Sequence, residues 1–358
     1  MSKNGNAQSK YQSVAATIKK RVLAGELCAG EQIPTLDALC EAYGVSLITA
    51  RRAIEMLERE GLLYRVQGKG TFVAESRKDP RTLALVVPHL YQDEDSLYDH
   101  SYLAPLINAV ERAARAQNAN ILLYLDNEDR AVERENLYNI LNRQLDGAIV
   151  FPLDDVVNMD ILQQLSMQIP VVLIDRCPAE WSGSYVVTDN YTGARQLTSQ
   201  LLASGFSTIY YIGIDENVSS VRERFAGYLS AMHANGCAND ALVHRIPIQS
   251  SSRQTMTAAC ALTKQLLQTA PHPCAFFALN NDIFAGIWRA LQETGVDPRE
   301  IGLACFDRPS AGLSTDGLLL YAEQPADSIG GKSVQVVMDQ VHGIHDPRRI
   351  TLEPKVAQ

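Results

Sequence analysis

The sequence predicts an α/β protein: an N-terminal winged helix-turn-helix followed by a two-lobed domain of doubly wound parallel sheets. Three observations support this prediction. A helix–helix–helix–hairpin pattern with a basic tip occupies residues 10–75. An alternation of apolar strands and helices then fills residues 82–303, which is typical of parallel sheets covered by helices. This alternation runs through two similar series, which indicates two lobes with a cleft between them.

Charge is distributed unevenly between the two regions. The 358-residue chain has a net charge of −9. Residues 1–78 hold 12 Lys/Arg against 8 Asp/Glu, whereas the remainder holds 20 against 33. A basic head on an acidic body is expected when one end meets phosphates, although a few surface lysines would give the same count.

The first two helices of the N-terminal region are short. Residues 11–23 have apolar positions at helical spacing, and Gly25 and Gly30 bracket a turn after them. Thr35 is a candidate N-cap for a second helix that ends near Gly44, because a threonine oxygen can accept a free first-turn amide.

The third helix has the strongest pattern of the region. Ser46 is its candidate N-cap, with its hydroxyl placed to accept the amide of Thr49. A stripe of apolar residues at helical spacing then faces the core: Ala50, Ala53, Ile54 and Leu57. The outward face carries Leu47, Ile48, Arg51 and Arg52. Gly61 is expected to end this helix.

A β-hairpin follows the third helix. Residues 62–66 and 71–74 are predicted strands, joined by a basic, glycine-rich tip. A helix fits the major groove of DNA, and a lysine at a hairpin tip can reach a phosphate or the minor groove. The candidate DNA-binding residues of caps, helix and tip are Thr35, Ser46, Leu47, Thr49, Arg51, Arg52, Gln67, Gly68, Lys69 and Gly70.

The domain boundaries follow from composition and pattern. Residues 1–75 form the winged helix-turn-helix, and the polar segment 76–81 is a linker. Residues 82–358 form the second domain, with lobes at about 82–176 and 185–303 and a C-terminal segment that crosses between them. The second series is predicted to begin with a strand near Tyr185.

Residues 10–75 resemble the DNA-binding domain of the GntR family. The motifs that carry this resemblance are G-E-L at 25–27, G-E-Q-I-P-T at 30–35, and E-G-L-L-Y through G-K-G-T-F-V at 60–73. The family usually has Ser-Arg at the start of its recognition helix, where this chain has Ser46-Leu47. Leu47 could therefore contact a thymine methyl group in place of a guanine edge, or it could pack on the protein and read no base.

Residues 81–350 resemble the effector domain of the LacI/galactose-repressor family, which is similar to periplasmic sugar-binding proteins. Five motifs carry this resemblance: D-G-A-I at 146–149, I-P-V-V-L-I-D-R at 169–176, V-T-D-N-Y-T-G-A at 187–194, R-F-A-G-Y at 224–228, and Q-P at 324–325. The pair of domains is similar to arabinose-responsive regulators of the AraR type.

This resemblance implies a ligand-binding cleft. Its residues would be Tyr102, Asp175, Arg176, Arg224, Asn280 and Asp307. Carboxylate, amide and guanidinium groups suit vicinal hydroxyls, and an aromatic face can cover C–H groups, so the set suits a sugar. Each residue also has a structural alternative: Asp175 and Arg176 could be a strand-end ion pair, and Asp307 could be a turn residue.

Several classes of protein are not indicated. The seven cysteines show no metal-site spacing and are expected to be reduced, in the cytoplasm. The sequence has no apolar run of membrane-spanning length, and no secretory leader is expected. It has no catalytic or cofactor-binding motif, so no metal, cofactor or enzymatic activity is expected.

The favoured hypothesis is a sugar-responsive bacterial transcriptional regulator, most often a repressor in such families. Its partners would be double-stranded operator DNA, a monosaccharide-type effector and a second copy of the chain, since a two-fold dimer places two recognition helices on two half-sites. The alternative is a sugar-binding or sugar-processing protein whose N-terminal domain is only an interaction module.

Overall fold

A computed structural model describes residues 10–23, 25–59, 62–66, 69–74, 80–89, 102–248, 251–309 and 316–358. The chain divides into two compact units, Met1–Pro80 and Arg81–Gln358. The α/β fold class is confirmed. No helix in the described ranges is long and apolar enough to cross a membrane.

The first unit has the predicted winged-helix order. Its elements are α1 (Lys10–Leu23), α2 (Leu36–Tyr43), α3 (Leu47–Arg59), β1 (Leu63–Val66) and β2 (Gly70–Val73). The apolar stripe of α3 is fully buried, as predicted, against Val14, Ile18 and Leu39. Burial of this face, more than helix propensity, stabilises helices this short.

The predicted N-caps of α2 and α3 are confirmed. The Thr35 hydroxyl accepts the amide of Ala38 at 3.3 Å, and the Ser46 hydroxyl accepts that of Thr49 at 3.3 Å. Gly44 closes α2 with φ of 61°, a conformation that glycine adopts at little cost. The predicted stop at Gly61 lies outside the described residues.

The second unit consists of strands that alternate with helices. Its first half contains β3 (Arg81–Val87), α4 (Leu103–Ala116), β4 (Ala119–Leu125), α5 (Arg130–Asn142), β5 (Gly147–Val150), α6 (Met159–Ser166), β6 (Val171–Ile174) and β7 (Ser184–Thr188). The next elements are α7 (Asn190–Ala203), β8 (Ile209–Ile214), α8 (Ser219–Ala234), β9 (Val243–Ile246), α9 (Ser252–Leu267), β10 (Cys274–Ala278), α10 (Asn281–Thr294) and β11 (Ile301–Phe306). The chain finishes with β12 (Leu319–Glu323), α11 (Ala326–Val341), β13 (Arg349–Leu352) and β14 (Lys355–Ala357).

These strands form two six-stranded sheets, one in each lobe. The first lobe has the order β13-β7-β6-β5-β3-β4, and the second has β14-β12-β11-β10-β8-β9. All neighbours are parallel except β12 and β14. The central strands β5, β6, β10 and β11 are buried along their whole length, as expected for parallel strands with helices on both faces.

The predicted start of the second lobe near Tyr185 is wrong. Strand β7 pairs with β6, with Leu173 opposite Tyr185, and with β13 on its other side, so it belongs to the first lobe. The chain enters the second lobe only at Asp189 and Asn190. The apolar run of a buried strand does not identify its neighbours, which explains the error.

Within the described residues, the chain crosses between the lobes three times. The crossings lie between β7 and α7, between β12 and α11, and between β13 and β14. These three backbone segments join the lobes, and we refer to them below as the hinge.

Candidate ligand cleft and nucleic-acid interface

The outward face of α3 is an exposed mixture of apolar and cationic side chains. Leu47 is 45% exposed and Ile48 79% exposed, so neither belongs to the core of the unit. Arg51 is exposed and has no ion pair with any residue in the described ranges. This surface can present apolar atoms to base edges and a cation to phosphates.

The neighbouring arginine is differently placed. The guanidinium carbon of Arg52 lies 4.9 Å from the ring centroid of Tyr11 in α1, a cation–π contact that joins the two helices. Thr49 is half-buried, and its hydroxyl lies 2.9 Å from that of Ser46 at the start of the helix. Arg52 is therefore exposed on the outward face and also stabilises the packing of α3 on α1.

The hairpin is attached to the rest of the first unit by Gln32. The Gln32 side-chain amide donates to the carbonyl of Lys69 at 2.9 Å, and the backbone of Ile33 donates to Thr71. Gly70 has φ of +126°, and a Cβ there would lie 2.4 Å from Gln32 Nε2. The side chain of Lys69 is exposed at the tip. Gln67 and Gly68 lie outside the described residues.

All six residues predicted for the ligand site line one cleft of about 700 Å³ between the two lobes. Asp175, Asn280 and Asp307 each follow the carboxyl end of a parallel strand, where side chains of such sheets converge. Tyr102 and Arg176 approach from the first lobe and Arg224 from α8 of the second.

Arg224 is held rigidly on the second-lobe wall. It is 7% exposed, its guanidinium lies 3.9 Å from the ring centroid of Phe306, and its Nε donates to Asn190 Oδ1 at 2.8 Å. Its Nη1 donates to the carbonyl of Leu279 at 3.0 Å and lies 3.9 Å from Asp307 Oδ2. Its Nη2 makes no hydrogen bond within the described ranges and can donate to a ligand.

Asp175 and Tyr102 form a buried polar pair on the first-lobe wall. Burial raises the pKa of the Asp175 carboxyl, against the opposing charges of Arg176 and Arg224. Burial also raises the pKa of Tyr102 well above its ordinary value, and the carboxylates of Asp175 and Asp307 add to this. The Tyr102 hydroxyl has no hydrogen-bond partner of good geometry within the described ranges, so a ligand hydroxyl could satisfy it.

Asp307 links the cleft to the hinge. The Gln324 amide donates to Asp307 Oδ1 at 2.7 Å and accepts from the hydroxyl of Thr188 at 2.7 Å. Thr188 ends the last strand before the first crossing, and Gln324 lies in the second crossing. Asp307 itself has φ of +98°, an unfavourable conformation for a non-glycine residue.

Two further predicted residues have structural partners as well. Asn280 caps α10, with Oδ1 accepting the amide of Ile283 at 3.1 Å, and its Nδ2 makes no hydrogen bond to a described residue. Arg176 donates to the carbonyl of Leu153 at 2.7 Å, and its Nε lies 3.6 Å from Asp175 Oδ2. The ion-pair alternative for Asp175 and Arg176 is therefore compatible with a cleft position.

Sequence reasoning did not select three residues that organise this cleft: Asn190, Phe306 and Gln324. Asn190 and Gln324 lie within motifs quoted above, so a signal for them was present. Phe306 lies beneath Arg224 and reads in the sequence as an ordinary core residue of a buried strand. No group of metal-ligating side chains occurs among the described residues.

Comparisons with known proteins agree with both units. Residues 10–73 match the family described as "Bacterial regulatory proteins, gntR family", and residues 82–356 match "Periplasmic binding proteins and sugar binding domain of LacI family". The arabinose metabolism transcriptional repressor of Geobacillus stearothermophilus is 23% identical over 349 residues, which cover 93% of this chain and 91% of the relative.

Two further relatives match parts of the chain. The probable fructoselysine utilization operon transcriptional repressor of Escherichia coli is 46% identical over 80 residues, covering 21% of this chain and 32% of the relative. The crystal structure of a ribose operon repressor from Burkholderia thailandensis, designated putative, superposes with a TM-score of 0.66 at 23% identity. That match covers 78% of this chain and 99% of the other, and it supports the fold.

Proposed function

Because the chain belongs to the family of periplasmic binding proteins and LacI-type sugar-binding domains, and begins with a GntR-type winged helix, we propose that it is a sugar-responsive transcriptional repressor. The observation that supports this most directly is the joint presence of an exposed cationic recognition helix and a polar interlobe cleft in one chain. The protein would act in the cytoplasm, on operator DNA.

The DNA-binding half of the proposal rests on α3 and the hairpin. Arg51 and Lys69 would contact phosphates, and Gly70 would give the backbone beside Lys69 its positive φ. Leu47 would touch a thymine methyl group, because its side chain is exposed at the start of the helix. Two copies of the chain, as a two-fold dimer, would place two such helices on two half-sites.

The sensing half rests on the cleft. Asp175, Asn280 and Asp307 would bind ligand hydroxyls, Arg224 would donate through Nη2, and Tyr102 would donate its unsatisfied hydroxyl. A monosaccharide is the ligand class that this set suits, and arabinose is the first candidate because the relative that spans the chain is an arabinose repressor. Ligand binding would change DNA affinity only to the extent that it favours one arrangement of the lobes.

The experiment is a gel shift on the upstream DNA of neighbouring genes, with and without each candidate sugar. Arg51→Ala and Lys69→Ala should weaken DNA binding and reduce the salt dependence by about one unit per lost contact. Arg224→Ala should retain DNA binding and lose the sugar response. Lys332→Ala, in the effector domain, is the control for general loss of charge.

Two results would contradict the proposal. If the full chain binds no upstream fragment with sequence preference, the regulator hypothesis fails and the N-terminal unit is better explained as an interaction module. If Arg224→Ala responds to the same sugar at the same concentration as the wild type, the cleft has been wrongly assigned.

A further inference from the structure

The charges around the interlobe cleft restrict the chemistry of its ligand. Six carboxylates line the cleft: Glu128, Asp129, Asp175, Glu216, Asp282 and Asp307. Only three guanidinium groups oppose them, so the lining carries an excess of three negative charges before His89 is counted. The whole region after residue 78, with 20 Lys/Arg against 33 Asp/Glu, adds a field of the same sign.

None of the three arginines that line the cleft is free of a carboxylate neighbour. Arg130 donates to Asp154 at 2.7 Å. Arg176 lies 3.6 Å from Asp175 and 3.8 Å from Glu216, and Arg224 lies 3.9 Å from Asp307. A bound anion would need an arginine or lysine whose charge is not already compensated.

Helix N-termini are the other common anion sites in proteins. Of the five in the described ranges that reach the cleft lining, those of α5, α9 and α10 are capped by side chains, and those of α4 and α8 have no side-chain cap. Asp129 caps α5 by accepting from two amides, Ser251 caps α9, and Asn280 caps α10. Asp282 adds a carboxylate to the first turn of α10, and its Oδ2 accepts from Ser252 Oγ at 2.8 Å. At the ends of α5, α9 and α10 an incoming phosphate would therefore meet side-chain oxygens, whereas an anion site needs free amides.

One part of the cleft lining brings carboxylates together from the two lobes. Burial raises the pKa of Glu216, and the carboxylates of Glu128 and Asp154 add to this against Arg176 and Arg130. The His89 ring lies 3.4 Å from Glu128 Oε1, so this ring also has a carboxylate neighbour. These carboxylates would therefore repel a ligand that carries a phosphate or carboxylate group. They would not repel a ligand whose polar groups are hydroxyls.

We infer that the effector of this protein is an uncharged sugar, and that the cleft excludes phosphorylated sugars and sugar acids. This inference rests on the proposed sensing function and narrows it. It is carried by the excess of carboxylates and the compensated arginines, and three capped helix ends add to it. Neutral hydroxyls can both donate to these carboxylates and accept from Arg224 Nη2.

The test is a matched panel of ligands with the full-length chain. Thermal unfolding and calorimetry would be run with arabinose, ribose, glucose and fructose, with their phosphate esters, and with the corresponding aldonic acids. A sugar that binds only the native state raises the Tm in proportion to its occupancy. The neutral sugar that binds best should do so with a Kd lower than that of its phosphate ester by roughly tenfold or more.

Two variants sharpen the test. Glu216→Gln removes a carboxyl group from the cleft lining and should reduce the preference for the neutral sugar over its phosphate ester several-fold. Glu293→Gln is the matched control, since Glu293 pairs with Lys264 and Arg289 on the surface of α10 and does not line the cleft. Raising the salt concentration should reduce the preference in the same direction as Glu216→Gln.

The inference and the proposed function fail in different ways. If a phosphate ester binds as tightly as its neutral parent and releases DNA, the regulator proposal stands and the charge inference is overturned. If no sugar of any class changes the Tm or the gel shift, the sensing function is overturned together with this inference.

Discussion

At the scale of single residues, Gly70 and Asp126 each affect the stability of the unit in which they lie. Gly70 combines a positive φ with a Cβ position that Gln32 already fills. Asp126, which follows β4, is completely buried, with Oδ1 accepting the amide of Glu128 and Oδ2 lacking a partner in the described ranges. Backbone geometry therefore restricts substitution at Gly70, and burial without full hydrogen bonding makes the charged form of Asp126 unfavourable.

Replacing Gly70 with alanine should destabilise the first unit by about 1–3 kcal/mol and weaken DNA binding. The new Cβ would push the Gln32 amide away from the carbonyl of Lys69, so the hairpin tip would lose this side-chain contact and keep only its backbone hydrogen bonds to residues 30–33. Gly25→Ala is the control, because Gly25 also has positive φ but faces open space. Equal DNA affinity for the two variants would show that the contact with Gln32 does not position the hairpin.

Asp126 makes stability depend on pH near neutrality. Burial raises the pKa of its carboxyl to about 7, and the charges of Glu133 and Glu128 add to this. The folded state thus keeps a proton that the unfolded state releases near pH 4, so stability should fall as pH rises from about 4 to about 7. One pKa unit corresponds to about 1.4 kcal/mol.

Asp126→Asn should remove this pH dependence and be more stable than the wild type at pH 8, with a smaller difference at pH 5. Thermal unfolding across this range measures it, with Asp346→Asn in an exposed loop as the control. If the Tm of the wild type and the Tm of Asp126→Asn change with pH in parallel, burial does not raise the pKa of this carboxyl.

At the scale of elements, the packing of α7 on α8 connects the hinge with the cleft. Asn190, the first residue of α7, accepts from Arg224 Nε at 2.8 Å and donates to the carbonyl of Thr188 at 3.1 Å and to Glu223 at 3.3 Å. Gly227 allows this packing, since a Cβ there would lie 2.3 Å from the carbonyl of Tyr191. Arg224 thus depends on a residue of the first crossing for its orientation.

Asn190→Ala should lower effector affinity by roughly 1–3 kcal/mol, because a buried charged donor loses its acceptor. Calorimetry with the identified sugar would measure the loss, and circular dichroism would check the fold. Asn235→Ala is the control: Asn235 ends α8 and donates to the carbonyl of Ala231, away from the cleft. If both variants bind with the wild-type Kd, Asn190 does not position Arg224.

At the scale of the whole effector domain, side chains join the lobes independently of any ligand. Arg222 of the second lobe donates to the buried carboxylate of Asp155 in the first lobe at 2.7 Å, and the amide of Cys177 donates to Ser219 Oγ at 3.0 Å. These contacts hold the lobes together beside the hinge. They stabilise the arrangement in which the two lobes are in contact.

Asp155→Asn should shift the lobes towards separation and weaken effector binding several-fold, since part of the ligand's binding energy would then be used to close them. Calorimetry measures the affinity, and small-angle scattering of the free protein should give a larger radius of gyration. The control is Asp160→Asn, whose ion pair with Arg134 lies within the first lobe. An unchanged affinity and radius would exclude Asp155 as a contact that controls closure.

Sequence alone was sufficient for the fold class and the order of elements. The caps at Thr35 and Ser46 depend on hydrogen bonds within one turn of helix, so local sequence predicts them. The helical spacing from Ala50 to Leu57 likewise predicts which face of α3 is buried. The cleft residues, among them Asp175, Arg224 and Asp307, were implied by the resemblance to the LacI family, and all of them line one cleft.

Tertiary structure alone decided which elements and side chains are neighbours. It placed β7 in the first lobe, stacked Arg52 on Tyr11, and brought Glu128 and Glu216 to one cleft from different lobes. A periodic pattern specifies which face of an element is buried and not what covers it. The charge of the cleft is likewise a property of residues distant in sequence, so it could be read only after the chain had folded.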